Sequence, residues 1–307
     1  MHRAAIALAA GVLAGLYVLR VYGTAPLVVS DFDAIWAAGR ALSAGQDPYA
    51  AIRTPPWPWQ LQYPLPAVLV ALPFSYLPVA FARAAFVGLS TALLAWTLTS
   101  RAWWPLWMLA GGQMFAAVGS VQWTPLFAAG ILLPAIRFLW AAKPTTGAVL
   151  FAAYPNRRTI VGAVVLYAAA FLVWPSWTDG WLEAARTAPH RPGILRFGGA
   201  LLLFALVRWR RPEARQLAAA ALVPLSPHIY EGLPLMLLAR SQREMLLLTL
   251  CGTVGLLAGL TIQREVGPTS HNPMDWLIVL FSCYLPALLL ILRRPNAAEP
   301  RDAGVKG

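Results

Sequence analysis

The sequence predicts an all-α membrane protein with several spans, and its composition and apolar runs support that prediction. The 307 residues are 59% hydrophobic and only 12% charged, with a mean hydropathy of +0.61, whereas a soluble domain averages about 25% charged residues. Several apolar runs approach the roughly 20 residues that a bilayer-spanning helix needs. The runs lack the apolar–polar alternation of barrel strands, so helices are the predicted spanning elements.

Charge predicts the orientation. The net charge is +12, and nearly all of it is arginine, since Lys143 and Lys306 are the only lysines. Arg3 precedes the first apolar segment, and the segment 293–307 after the last one is basic. Because positive charge accumulates on the cytoplasmic side, we expect both ends there, with 293–307 as a flexible cytoplasmic tail. Residues 24–65 then form the first outer loop.

The chain is predicted as a single transmembrane domain, 1–307, with about eight spans plus partial or re-entrant helices. The spans are expected at about residues 4–22, 80–99, 105–120, 123–141, 159–175, 197–209, 245–262 and 276–292. A partial helix is expected at 65–77. The segment 216–239 is broken by Pro224, Pro227 and Gly232; it either crosses once with a kink or forms a re-entrant pair of half-helices. A cytoplasmic tail favours the re-entrant alternative.

The first outer loop contains the stretch "SDFDAIWAAGRALSAGQDPYA". We predict a short helix over 31–44, capped by Ser30 or Asp31 and stopped by Gly45, that is too short to span and lies in the membrane interface. Asp31 and Asp33 are two residues apart, so they point to nearly opposite helix faces and only one can face a given pocket. The other is expected to be a helix-capping or solvated carboxylate, and this reading is favoured for Asp33.

Other ionisable and polar candidates are few, and ionisable side chains at membrane depth need a reason. His228 and Glu231 stand beside the predicted helix break in "SPHIYE". Gln122, between two predicted spans, could cap a helix or bind a polar substrate, and Lys143 is expected to be an inner-side anchor. Most arginines fit the positive-inside pattern, but a few could bind a phosphate by bidentate contacts. The candidates near the outer side are Arg40, Arg53, Arg83, Arg186 and Arg191.

Five short motifs occur in order: "DFDAIWAAGRALSAGQDPY", "YPLPAVLVALPFSYLP", "GSVQ", "KPTTG" and "LVPLSPHIYE". Together they resemble the conserved segments of glycosyltransferase family 87, over about residues 25–235. The match is imperfect, because Leu65 replaces the usual second proline after Tyr63 and Glu231 stands where that family commonly has aspartate. The chain is also shorter than typical members.

The resemblance implies a C-type glycosyltransferase fold and a sugar, usually mannose, transferred from a polyprenyl-phosphate carrier to a lipid or glycan acceptor with inversion. It implies a multi-pass protein of the cell membrane with its active site on the non-cytoplasmic side. Asp31 would be the general base, and His228 would lie near the donor phosphate or the acceptor. Tyr63, Gln122, Glu231 and the arginines Arg40, Arg53 and Arg83 are the predicted substrate-binding residues.

No metal or other cofactor is expected, because arginine can neutralise the leaving phosphate and no Cys/His spacing suggests a metal site. No nucleic-acid partner is expected either, since the chain offers no basic, aromatic-rich soluble module. Two alternatives stay open. One is a transporter or flippase for a lipid-linked or small polar substrate, which would also use broken helices and intramembrane charges. The other is a degenerate, non-catalytic relative.

Overall fold

The computed structural model describes residues 2–23, 30–53, 57, 60–100, 102–187, 191–266 and 273–297. These residues form helices and connecting segments, without a β-strand among them. The α-helices are α1 (His2–Tyr22), α2 (Asp31–Ser43), α3 (Pro48–Ala51), α4 (Leu65–Ser75), α5 (Val79–Leu98), α6 (Gly112–Gly119), α7 (Thr124–Leu132), α8 (Pro144–Ala153), α9 (Arg157–Val173), α10 (Trp177–Arg186), α11 (Pro212–Leu222), α12 (Gln242–Val266), α13 (Pro273–Val279) and α14 (Leu285–Leu292). Segments of 3₁₀-helix are Trp104–Ala110, Pro134–Ala142, Gly193–Leu195, Gly199–Arg208 and Ile229–Leu238, and a π-turn, Leu280–Tyr284, joins α13 to α14.

Four of these helices are long and apolar enough to cross a membrane: His2–Tyr22, Val79–Leu98, Gln242–Gln263 and Met274–Leu292. A fifth candidate is α9 with α10, if this pair, bent by 109°, counts as one span. Large apolar side chains such as Leu13 on α1 and Val254 on α12 are exposed, as expected of surfaces that face lipid rather than water. The protein therefore fits a helical, multi-pass membrane protein.

The four single spans coincide with four of the eight predicted ones. The remaining predicted spans correspond to shorter or divided helices. The predicted span 105–120 is a 3₁₀-helix and α6, separated at Gly111, and 197–209 is the ten-residue 3₁₀-helix Gly199–Arg208. The partial helix predicted at 65–77 is α4. The count of eight membrane crossings stays a prediction.

The chain divides into two compact units. The first unit comprises Met1–Trp96, Ala117–Gly147 and Asn156–Pro189, and the second unit comprises Thr97–Ala116, Ala148–Pro155 and His190–Gly307. Asp31, Gln122 and Lys143 belong to the first unit, and His228 and Glu231 belong to the second.

In the first unit, α1 and α5 pack backbone against backbone. A Cβ atom on Gly11 would lie 2.6 Å from the carbonyl oxygen of Gly88, and one on Gly15 would lie 3.2 Å from the carbonyl oxygen of Ala84. Gly11 and Gly15 have the G-x-x-x-G spacing that lets membrane helices approach closely. Helix α5, which holds Arg83, is thereby fixed against α1.

An aromatic cluster fixes α2 within the first unit. Phe32, the residue between the two aspartates, stacks on Phe86 of α5 with ring centroids 4.6 Å apart. Phe86 in turn contacts Phe74 of α4 and Trp123, which precedes α7. Such ring pairs contribute about 0.5–1.5 kcal/mol each beyond the area they bury. The start of α2 is therefore held by packing on three other elements.

The predicted span 123–141 is wrong. Pro134 divides it into α7 and the 3₁₀-helix Pro134–Ala142, and the second half folds back so that the Trp140 indole donates to the carbonyl oxygen of Phe127 (3.2 Å). An unbroken helix of this length would separate its ends by about 28 Å, yet the side chains of Gln122 and Lys143 are 3.3 Å apart. The segment is therefore a helical hairpin that returns to its starting point.

The second unit contains a comparable return. Residues 223–228 are non-helical between α11 and the 3₁₀-helix Ile229–Leu238, as the prolines predict. One nitrogen, Arg294 Nη1, bonds both Glu213 at the start of α11 (3.4 Å) and the carbonyl oxygen of Leu238 (2.8 Å). Because both ends of the segment meet at one guanidinium, this geometry fits the re-entrant alternative and not a single crossing.

The structure describes only part of the predicted tail, 293–307, and of the predicted first outer loop, 24–65. In the predicted flexible tail 293–307, Arg294 and Pro295 are held by hydrogen bonds to the second unit, so this part is not a free tail. Residues 298–307 lie outside the described residues. In the predicted first outer loop, 24–29, 54–56 and 58–59 lie outside them too.

The rest of that loop packs on the loop after α9. A Cβ atom on Gly180 of α10 would lie 2.7 Å from the Tyr49 side chain, and the Trp181 indole donates to the carbonyl oxygen of Gln62 (3.1 Å). Helix α10 therefore lies against the predicted first outer loop.

Candidate functional site

The site is built on the first turn of α2. Helix α2 begins at Asp31, and Gly45, with a φ of +69°, follows its end; both agree with the predicted cap and stop. Asp33 closes the first turn, because its carboxylate accepts from the Ser30 backbone amide (3.2 Å) and the Ser30 hydroxyl (2.9 Å). This capping leaves Asp31 on a rigid turn, half-buried rather than sealed.

Asp31 is joined to Lys143 through Gln122. The Gln122 Nε2 donates to Asp31 Oδ2 (2.7 Å), and the Lys143 ammonium donates to Gln122 Oε1 (3.3 Å). A carboxylate only accepts and an ammonium only donates, so these partners fix the orientation of the amide. Gln122 is 1% exposed, whereas Asp31 and Lys143 are partly exposed. A buried amide therefore holds two opposite charges at the edge of one site, which we call the Asp31 site.

The backbone beside Gln122 is strained. Val121 has a φ of +51° and is the one non-glycine residue with positive φ within the described ranges. For a β-branched residue this is an outlier, and such strain persists only where the surroundings enforce it. Val121 is 1% exposed, and the amide of Gln122 bonds the carbonyl oxygen of Ala117 (2.8 Å). Packing thus holds an unfavourable turn that presents the Gln122 side chain to Asp31.

Asp33 has a different environment. Its carboxylate forms a bidentate ion pair with Arg83 of α5, with Nε–Oδ1 at 2.7 Å and Nη2–Oδ2 at 2.8 Å, and both side chains are 0% exposed. Asp33 is therefore a capping carboxylate, as favoured from the sequence, but a sealed rather than a solvated one. The prediction that Arg83 binds substrate phosphate is wrong, because its guanidinium is buried in this internal pair.

The other predicted ligands of the first unit lie on the periphery of α2 and α3. The Arg40 guanidinium is exposed and lies 5.2 Å from the Trp36 ring, and Arg53 forms an exposed ion pair with Glu183 of α10. The carbonyl oxygen of Tyr63 accepts from the Tyr49 hydroxyl (3.1 Å). Burial raises the pKa of the Tyr49 hydroxyl well above its usual range, so this donor stays protonated.

His228 and Glu231 are described within the second unit alone. His228 is exposed at the end of the non-helical stretch, with its ring 5.2 Å from that of Tyr230. Glu231 is buried and accepts from the Ser226 hydroxyl at 3.4 Å. The structure thus brings together Asp31, Gln122 and Lys143 of the predicted elements and leaves the roles of His228 and Glu231 as predictions.

Lys143 is the residue that sequence reasoning misplaced. It was expected on the inner side and Asp31 on the outer side, but the bonds of both to Gln122 place the two residues together, so these two expectations cannot both hold. The available signals were Pro134, which forbids an unbroken helix through 123–141, and the presence of Lys143 in one of the five ordered motifs. Within the described part of the chain, no three His, Cys, Asp or Glu side chains form a group that could hold a metal ion.

Comparison of the chain with protein-family models, with curated proteins and with solved structures finds no match.

Proposed function

We propose that this protein is a membrane glycosyltransferase that moves a sugar, mannose by the resemblance, from a polyprenyl-phosphate donor to a lipid or glycan acceptor. The observation that supports the proposal is the Asp31–Gln122–Lys143 network. These residues come from three separate motifs of the resemblance and meet in one place, although 91 residues separate the first two and 21 the last two. If the similarity of these short motifs were due to chance, there would be no reason for their residues to lie next to each other in the fold.

The proposed chemistry uses Asp31 as general base. Asp31 Oδ1 accepts no hydrogen bond from the described residues and is the oxygen available to take a proton. It removes the proton of the acceptor hydroxyl, and the hydroxyl oxygen attacks the anomeric carbon from the side opposite the phosphate. The bond from that carbon to the phosphate oxygen breaks, and its electron pair leaves with the polyprenyl phosphate. General-base help is worth roughly 10²- to 10⁴-fold in rate.

Gln122 and Lys143 have proposed supporting roles. Gln122 orients the Asp31 carboxylate by donating to Oδ2, so that Oδ1 keeps a fixed direction. Lys143 supplies a positive charge at the edge of the Asp31 site, and its proposed role is to stabilise the negative charge that the leaving phosphate gains in the transition state. Arg40 and Arg53 are the other predicted phosphate ligands, and Arg53 would have to exchange Glu183 for the donor.

The test is transfer of label by the purified, reconstituted protein. With radiolabelled polyprenyl-phosphate mannose and a lipid extract as acceptor, we expect label in a new glycolipid or glycan product. Asp31→Asn should lower this rate at least about 10²-fold while the protein stays monodisperse. Asp179→Asn, an isosteric change at an exposed position of α10, is the matched control and should keep full activity. Normal turnover by folded Asp31→Asn protein would overturn the assignment.

The same vesicles test the transport alternative. A transporter or flippase would move the labelled lipid to the opposite leaflet without forming product, whereas a degenerate relative would do neither. A second readout is therefore needed: the leaflet distribution of label, measured by exclusion of a membrane-impermeant reagent. If the labelled lipid changes leaflet but no sugar is transferred, the protein is a transporter or flippase and the glycosyltransferase proposal is overturned.

A further inference from the structure

Three arginine-rich stretches of the second unit meet at one end of it. These are residues 208–215, 240–244 and 293–296. Together they contain eight arginines and two glutamates, a net charge of +6, which is half of the +12 of the whole chain. Because the stretches are far apart in the sequence, their charge is gathered by the tertiary structure. We call this surface the basic end face.

Two buried arginines, Arg211 and Arg294, hold the three stretches together. Arg294 Nη2 donates to Glu244 Oε2 (2.6 Å), and Arg211 Nη1 donates to Glu213 Oε1 (3.0 Å). Arg211 also donates to the carbonyl oxygen of Pro295 (2.8 Å). Arg211 and Arg294 are nearly buried, so the two glutamates neutralise the inner arginines rather than the outer ones.

The outer layer of the basic end face is exposed and positively charged. Arg210, Arg243 and Arg293 all have exposed side chains. Arg210 lies 5.7 Å from the ring of Trp209, which is 57% exposed, and its backbone amide bonds the Asn296 side chain (3.1 Å). The surface thus combines several guanidinium groups with a tryptophan on a braced backbone.

The basic end face lies at the ends of both candidate spans of the second unit. Arg243 is in the first turn of the span Gln242–Gln263, and Arg293 directly follows the span Met274–Leu292. The bond between Arg294 and Glu244 shows that these two ends are adjacent. Charges at the ends of spanning helices lie at the level of the lipid headgroups, where tryptophan is also enriched.

We propose that the basic end face binds the phosphate headgroups of anionic phospholipids in the cytoplasmic leaflet, through Arg210, Arg243 and Arg293. Guanidinium groups bind phosphate oxygens in a bidentate manner, and clustered arginines at the bilayer surface attract anionic lipid. The positive-inside pattern assigns this end to the cytoplasm. The inference does not depend on the Asp31 site and stands or falls independently of glycosyl transfer.

The test measures thermal unfolding of the full chain in neutral detergent micelles that contain either phosphatidylglycerol or phosphatidylcholine at equal mole fraction. A ligand that binds the folded state raises the Tm, so we expect a higher Tm with phosphatidylglycerol. The double variant Arg243→Gln/Arg293→Gln should lose about half of that shift or more. The matched control, Arg20→Gln/Arg158→Gln, removes two exposed arginines at helix ends of the first unit and should keep the shift.

Two further measurements distinguish binding of lipid headgroups from binding of free phosphate. Inorganic phosphate at the same concentration should give no shift, and raising the salt concentration should weaken the lipid effect because exposed charges are screened. Equal Tm values in the two lipids, or an equal loss in the control variant, would overturn the proposal. A shift reproduced by inorganic phosphate would also overturn it and indicate a soluble-phosphate site.

If the glutamine variant does not fold, a lysine variant and a second measurement still test the proposal. Arg243→Lys/Arg293→Lys keeps both charges and should keep most of the shift. Native mass spectrometry of the unmodified chain supplies a second measurement, in which retained phosphatidylglycerol should exceed phosphatidylcholine from an equimolar mixture. Equal retention of the two lipids would contradict specific recognition of anionic headgroups.

Discussion

Asp31 and Asp33 are two residues apart on one helix turn, yet they differ in burial and in the partners of their carboxylates. Asp33 is fully buried and satisfied by Arg83 and Ser30. Asp31 is partly exposed and held at one oxygen by Gln122. The sealed carboxylate stabilises the turn, whereas the half-buried one remains partly exposed, which is why Asp31 and not Asp33 is the proposed base.

The largest expected effect on stability is at the Asp33–Arg83 pair. Asp33→Ala leaves a buried guanidinium without its counter-charge, which should lower the free energy of unfolding by about 3–5 kcal/mol. Denaturation in detergent measures this. The double variant Asp33→Leu/Arg83→Met removes both charges and should be less destabilised than Asp33→Ala. If Asp33→Ala unfolds like the unmodified protein, the pair is not structural.

The next-largest effect on stability tests the Asp31–Gln122–Lys143 network. Gln122→Leu removes both hydrogen bonds of the amide but keeps the approximate volume, and unsatisfied polar groups cost about 1–3 kcal/mol. We expect a stability loss in that range together with reduced transfer. Gln113→Leu is the control, since Gln113 is also a buried amide but belongs to the second unit. Equal loss of transfer in both variants would argue against a specific role of Gln122.

A smaller effect on stability is expected at Asp31 itself. Asp31→Asn removes or weakens one hydrogen bond at a partly exposed position, so the free energy of unfolding should change by only about 0.5–1.5 kcal/mol. The difference between this loss and the several-kilocalorie loss expected at Asp33 measures how differently the two carboxylates contribute to stability. A destabilisation at Asp31 as large as that at Asp33 would show that both carboxylates are structural.

An effect of similar size concerns the strained turn. At a positive φ an alanine is disfavoured relative to glycine by roughly 1–2 kcal/mol. Val121→Gly should therefore be more stable than Val121→Ala by about that amount, although both lose the same packing of the valine methyl groups. Chemical denaturation of the two variants side by side gives the difference. An alanine variant that is the more stable of the two would mean that Val121 is not strained.

Helices with a strong local signal could be predicted. The four long apolar helices follow from hydropathy, and α2 follows from Ser30 and Gly45 at its ends. The G-x-x-x-G spacing of Gly11 and Gly15 is a local signal too, but its partner, Gly88, cannot be found from sequence because close packing depends on which helices meet. The hairpin of residues 124–142 was missed because an apolar run was weighed above the single Pro134 that divides it.

The candidate site was predictable only in part. Asp31 and Gln122 were named from ordered motifs, and Asp33 was favoured as a cap. The ion pair of Asp33 with Arg83 crosses 50 residues of sequence, and no local pattern selects one arginine among the several near the outer side. Lys143 was separated from Asp31 because the segment between Gln122 and Lys143 was interpreted as a crossing of the membrane, whereas it folds back on itself.

The helical membrane class, the apolar spans, the early capped helix and the basic composition all follow from the amino-acid sequence, because these properties depend on local composition and spacing. The tertiary structure alone decided which carboxylate is sealed, which lysine approaches Asp31 and where half of the net charge is gathered. The physical reason is that burial and ion pairing depend on contacts between segments far apart in the chain, and these contacts exist only once the helices have packed.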